Sequence, residues 1–181
     1  MARDAAIRAG GRARALLGTG VKGFLAACVA VALAVAATVS LESAFPVARE
    51  SVDFFLIVVV YYAITRSRSK GIIMGAFAGL VQDVFASRFL GFHAFVKTAI
   101  AYLIGGMGAK FMLNQPFPQF LALMIASLLD AGVSALLSFT AGLPQELGPG
   151  ALARRALFNS VAGLLIYRVA QRRRTQMAWR R

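Results

Sequence analysis

Apolar runs and short polar breaks alternate along almost the whole chain. A helix needs about 20 apolar residues to cross the hydrocarbon of a bilayer. Residues 21–41 meet that length, and residues 52–65 are apolar but short. Residues 71–86 are apolar apart from Gln82 and Asp83. Residues 91–109 carry one charge, Lys97, and residues 117–141 carry one, Asp130. Residues 152–170 are apolar in their second half, with Arg154 and Arg155 near the start. The pattern predicts an all-α, polytopic membrane helix bundle of about six transmembrane helices, counted from these runs. The second and third runs flank Arg66-Ser67-Arg68-Ser69-Lys70, which predicts a helical hairpin; both are short, so a re-entrant pair is the alternative. Gly142 to Gly150 holds Pro144, Pro149 and three glycines and reads as a turn. The organisation expected is a basic N-terminal segment over 1–20, a transmembrane domain over 21–170 and a basic tail over 171–181. No internal repeat is visible.

Composition supports this pattern. Hydrophobic residues make up 59% and charged residues 15%, with a mean hydropathy of +0.71. Soluble domains run at about 45–50% apolar and about 25% charged. Disorder is excluded, because it requires low hydrophobicity. A lone Cys28 cannot form an intramolecular bridge, and one cysteine with one histidine makes a poor zinc site. The net charge of +13 raises nucleic acid as a partner, but the basic residues lie at the ends and in one short loop, so none is expected. The charge is better read as orientation, since Lys and Arg stay on the cytoplasmic side. With the N-terminus inside, 15 of the 20 basic residues are cytoplasmic. Arg49, Arg88, Arg154 and Arg155 fall outside, and Lys97 lies within a span. Both termini are therefore expected in the cytoplasm. The first apolar run is longer than that of a cleaved leader, so it is expected to remain as a span.

Charges inside a bilayer cost about 2.5–3.5 kcal/mol each on insertion scales, so they are paired or functional. Asp83, Lys97 and Asp130 are the candidates. The reading preferred is a salt bridge from Lys97 that locks helices together, with Asp83 as one partner considered; a proton relay is the alternative. His93, at a span edge, is expected to be interfacial. Gly71, Gly75 and Gly79 are spaced by four, with Asp83 next at the same interval, so all share one helical face. Small residues at that spacing let helix backbones approach, within the chain or with a partner's helix. Alanines 26, 30 and 34 repeat the spacing weakly. Ser127, Asp130 and Ser134 share a face, as do Asn159 and Gly163, and these polar groups should turn inward. Ile57 is expected to face lipid. No nucleophile set or phosphate-cradling loop is present, so no catalytic residue, cofactor or metal is expected. An intramembrane pair of Asp83 and Asp130 for proteolysis would lack any surrounding protease motif.

The stretch Gly75-Ala-Phe-Ala-Gly79-Leu-Val-Gln-Asp83, then Leu90-Gly91, then Ala101-Tyr102-Leu103 and Gly105, resembles the rod shape-determining protein MreD family. Val52-Asp53 stands where that family often has Pro before an acidic or amide residue, a departure from its pattern. The resemblance implies a non-enzymatic inner-membrane part of the bacterial elongation machinery. It implies binding of a bitopic MreC-like protein, with MreB, RodA and its transpeptidase as further partners and membrane lipids around the bundle. Gly71, Gly75 and Gly79 are then the expected partner-binding face. Asp83, Lys97, Tyr102, Asp130 and Asn159 are the expected buried polar network. The family fold is similar to that of the substrate-binding subunits of energy-coupling-factor vitamin transporters. A transporter component that captures a small molecule is therefore the alternative function.

Overall fold

The computed structural model describes residues 23–41, 43, 52–86, 89–108, 115–142 and 148–178. The basic segment over 1–20 lies outside the described residues, as do Lys22, Arg49, Arg88, Lys110, Arg180 and Arg181 of the orientation count. Among the described residues there are six helices and no strands. They are α1 (Gly23–Leu41), α2 (Phe54–Thr65), α3 (Arg68–Ala86), α4 (Phe92–Gly108), α5 (Pro116–Thr140) and α6 (Pro149–Ala178). Each falls on one of the six apolar runs. The helix of α6 continues past residue 170 into the basic stretch expected as tail.

Local chemistry sets several of the boundaries. Asp53 N-caps α2, accepting a 2.9 Å hydrogen bond from the Leu56 backbone N–H. Ser67 does the same at the start of α3, accepting from Lys70 N–H at 3.3 Å. Pro116 opens α5, where its missing N–H costs nothing. The α3–α4 turn needs Gly91, whose φ of +99° is a conformation side chains disfavour.

The shortest helix is at the centre. α2 has 12 residues and is only about 18 Å long. Its Leu56, Val59 and Val60 have no exposure. One side of α2 (Leu56, Ile57, Val60) packs with Val96, Ile100 and Ile104 of α4, Leu123 and Ala126 of α5, and Tyr167 of α6. The other side (Phe55, Val59, Ala63) packs with Val31 and Ala34 of α1, Met74 and Ala78 of α3, and Ala101 of α4. A helix that is apolar all round must be buried all round, and α2 is. Ile57, expected to face lipid, is 1% exposed, and its carbonyl accepts a 3.3 Å hydrogen bond from the Tyr167 hydroxyl.

The bundle buries a set of polar groups within its apolar core, and its outer surface is apolar as well. Leu33, Val84, Phe95, Leu128 and Leu165 are each more than half exposed, one on every helix but α2. Asp53, Asp83, Lys97, Gln119, Ser127, Asp130, Asn159 and Ser160 are buried. α1 and α5 are individually long and apolar enough to cross a membrane. An apolar surface over internally paired polar groups suits lipid, where backbone and side-chain polar groups must be satisfied internally.

Candidate functional site

Two polar centres lie in the half of the bundle where α2, α4 and α6 begin. The first joins α3 to α4. α3 presents its glycines to neighbouring backbones: a Cβ at Gly75 would sit 2.7 Å from the Lys97 carbonyl oxygen, and one at Gly79 would run into the Ala94 Cα. A Cβ at Gly71 would meet the Ala63 Cα of α2 at 2.6 Å. The close approach predicted from the spacing is thus made inside the chain. The glycine face expected to receive a partner's helix packs against α2 and α4 of the same chain.

Asp83 completes that face one turn further on. Its carboxylate accepts backbone N–H bonds from Gly91 (2.8 Å), His93 (2.8 Å) and, more weakly, Ala94 (3.4 Å). His93 Nδ1 lies 2.8 Å from the same carboxylate. These are the unpaired donors at the start of α4, which an acidic group satisfies best. Asp83 is therefore a cap for the next helix. It is fully buried, and its hydrogen bonds go to Gly91, His93 and Ala94 and not to Lys97, which corrects the pairing considered from sequence. His93 is a half-buried partner of Asp83 and not simply an interfacial side chain.

The second centre is an ionic cluster contributed by four helices or their caps. Lys97 of α4, with no exposure, places Nζ 2.8 Å from Asp53 Oδ2 and 3.5 Å from Asp130 Oδ1. Arg155 of α6 places Nη2 3.3 Å from Asp53 Oδ2 and 3.2 Å from Asp130 Oδ2. Two carboxylates thus face two cations, and the formal charge cancels. Asn159, one turn below Arg155, accepts from the Asp53 backbone N–H at 2.7 Å and donates to Ser127 Oγ at 3.1 Å. Ser127 and Asp130 are three apart on α5, and Arg155 and Asn159 are four apart on α6, so each pair shares a face. The cluster ties the start of α2 to α4, α5 and α6.

Of the expected network, Lys97, Asp130 and Asn159 are brought together. Asp83 is separate, as above. Tyr102 is not part of it: its ring is 52% exposed at the other end of α4, under the Arg68 guanidinium at 3.6 Å. An exposed hydroxyphenyl ring needs no buried partner, which is why it can lie outside. Two members were missed from sequence. In the sequence Asp53 stands out only as a departure from a family pattern, although an acid directly before an apolar run is a helix-start signal. Arg155 counts there as an outer loop charge, although its spacing to Asn159 places both on one face.

The family profile described as rod shape-determining protein MreD matches residues 20–170. The chain belongs to the MreD family. No curated relative and no solved structure matches it. The family is one of membrane proteins that determine rod shape, and this MreD-family chain is a membrane component of the cell-shape machinery. The match takes in both polar centres, from Asp53 to Asn159.

The carboxylates of these centres are engaged in ion pairs and in hydrogen bonds at helix starts. Every carboxylate oxygen named above accepts from a cation or a backbone N–H. Among the described residues no group of three or more His, Cys, Asp or Glu could hold a metal ion. A cleft of about 360 Å³ between the start of α4 and the end of α5 is lined by Phe89, Gly91, Phe92, Phe95, Leu137, Thr140 and Ala141.

Proposed function

We propose that this chain is a non-enzymatic inner-membrane component of the bacterial elongation machinery. It binds a bitopic MreC-like protein and so supports lateral peptidoglycan synthesis and rod shape. MreB, RodA and its transpeptidase act in the same assembly. Both termini are cytoplasmic in this reading, which puts the ionic cluster in the outer half of the bilayer. The observation that carries the proposal is the family match over residues 20–170. The buried charges favour it, because they are committed to one another and to helix ends. The glycines 71, 75 and 79 serve the partner indirectly, by fixing how α2, α3 and α4 pack and hence the shape of the outer surface.

The transporter reading gains no support from the cleft between α4 and α5. Its lining offers a nutrient one side-chain hydroxyl, Thr140, among apolar groups. The test is affinity capture of the tagged full chain from native membranes of its host, with depletion in parallel. The expected result is co-purification of a single-span partner and loss of rod shape on depletion. Capture without that partner, or rods that persist after depletion, would overturn the reading.

A further inference from the structure

At the end of the bundle opposite the ionic cluster, α2 turns into α3 through five consecutive exposed residues, Arg66, Ser67, Arg68, Ser69 and Lys70. Arg66, Arg68 and Lys70 put three cations on this short turn. The described carboxylates Asp53, Asp83 and Asp130 all lie in the other half of the molecule, engaged as above. The turn is therefore a cationic site with no internal counter-charge among the described residues.

Arg68 is stacked on an aromatic ring. Its guanidinium carbon lies 3.6 Å from the centre of the Tyr102 ring. Its stem crosses a bed left by two glycines of α4: a Cβ at Gly105 would come within 3.1 Å of Arg68 Cγ, and one at Gly106 within 3.6 Å of Arg68 Cζ. The ring holds the flat face of the guanidinium by cation–π attraction. The N–H groups lie in the plane of the fork, so stacking leaves them able to donate. A pre-set guanidinium fork matches two oxygens of one phosphate. Tyr102, Leu103 and Met107 are exposed on the same helix at this level, at 52%, 46% and 38%. An aromatic ring with a polar tip among exposed apolar side chains is what the membrane–water boundary favours. The cation is thus carried at headgroup height, which favours a lipid over a soluble acidic protein.

We propose that Arg68 on its Tyr102 platform, with Arg66 and Lys70 beside it, binds the phosphate of an anionic phospholipid headgroup at the inner face of the membrane. The orientation rests on the reading in the preceding subsection; the pose of Arg68 does not.

The test is native mass spectrometry of the full chain released from mixed micelles of phosphatidylglycerol and phosphatidylcholine. The wild type should retain the anionic lipid preferentially, by about fivefold for each cation engaged. Arg68→Gln should remove about fivefold of that preference. Tyr102→Leu should lower it while the charge is unchanged, and Arg68→Lys should not restore it fully. Arg154→Gln, an exposed cation at the opposite end, should leave it intact. Circular dichroism and melting of each variant establish that the bundle is folded. An unchanged preference in Arg68→Gln would overturn the proposal, as would an equal loss in Arg154→Gln. Complete displacement of the lipid by millimolar inorganic phosphate would overturn the lipid source. Partner capture from the same preparations separates the two claims. A captured partner with no headgroup preference rejects this site alone, and a retained preference with no partner rejects the proposed function alone.

Discussion

Asp83 and the pair Asp53 and Asp130 are all buried acids in an apolar bundle, yet they are satisfied in different ways. Asp83 takes its partners from residues 91, 93 and 94, the next turn of chain. Asp53 and Asp130 take theirs from Lys97 and Arg155, on helices distant in sequence. The first arrangement shapes one hairpin, and the second ties four elements together. Removing a local cap should loosen a helix end. Removing a shared cation should leave two acids to a single partner.

The largest effect expected is therefore at Lys97. Lys97→Met leaves Arg155 alone between two carboxylates, and a broken buried pair costs about 3–5 kcal/mol. Thermal unfolding in detergent should show it, and adding Asp130→Asn should recover a good part, because the remaining charges again balance. No recovery would mean that the cluster does not act as a unit.

Next is the glycine contact. Gly79→Ala pushes a methyl group into the α4 backbone and should cost about 1–3 kcal/mol, as overpacking does. Gly163→Ala should cost less, because the atom it meets at 2.6 Å is the movable tip of Leu123. Gly132→Ala meets nothing within 4 Å and should stay within about 0.5 kcal/mol of wild type. Equal melting shifts at these positions would refute the backbone approach of α3 to α4.

The smallest is the cap itself. Asp83→Ala should cost about 0.5–2 kcal/mol, the usual range for a lost N-cap. Asp83→Asn should cost less, since an amide oxygen still accepts. Hydrogen exchange should rise first at Gly91, His93 and Ala94. Uniform exchange across all helices would instead place Asp83 in a global network.

What the sequence disclosed follows the same division. The six helices were legible because each is an apolar run between polar breaks. The Gly71–Asp83 spacing was legible because it repeats with the helix. Its target was not, because small residues on a face look the same whether the neighbour is α4 or another protein. The partners of Lys97 were not legible either. Which acid meets which cation depends on how α2, α5 and α6 pack, and no local pattern encodes that. Asp53 and Arg155 were hidden by position, each at the edge of an apolar run where a charge reads as solvated. Ile57 was misplaced because the burial of α2 on every side is a property of the bundle. Tyr102 lay in the right helix but at the wrong end for the cluster.

One measurement bears most directly on this division of labour: paired double-mutant cycles by unfolding, Lys97→Met with Asp53→Asn and Lys97→Met with Asp83→Asn. The first pair should couple by about 0.5–3 kcal/mol, and the second should be additive to within about 0.5 kcal/mol. Strong coupling to Asp83 with none to Asp53 would contradict the account.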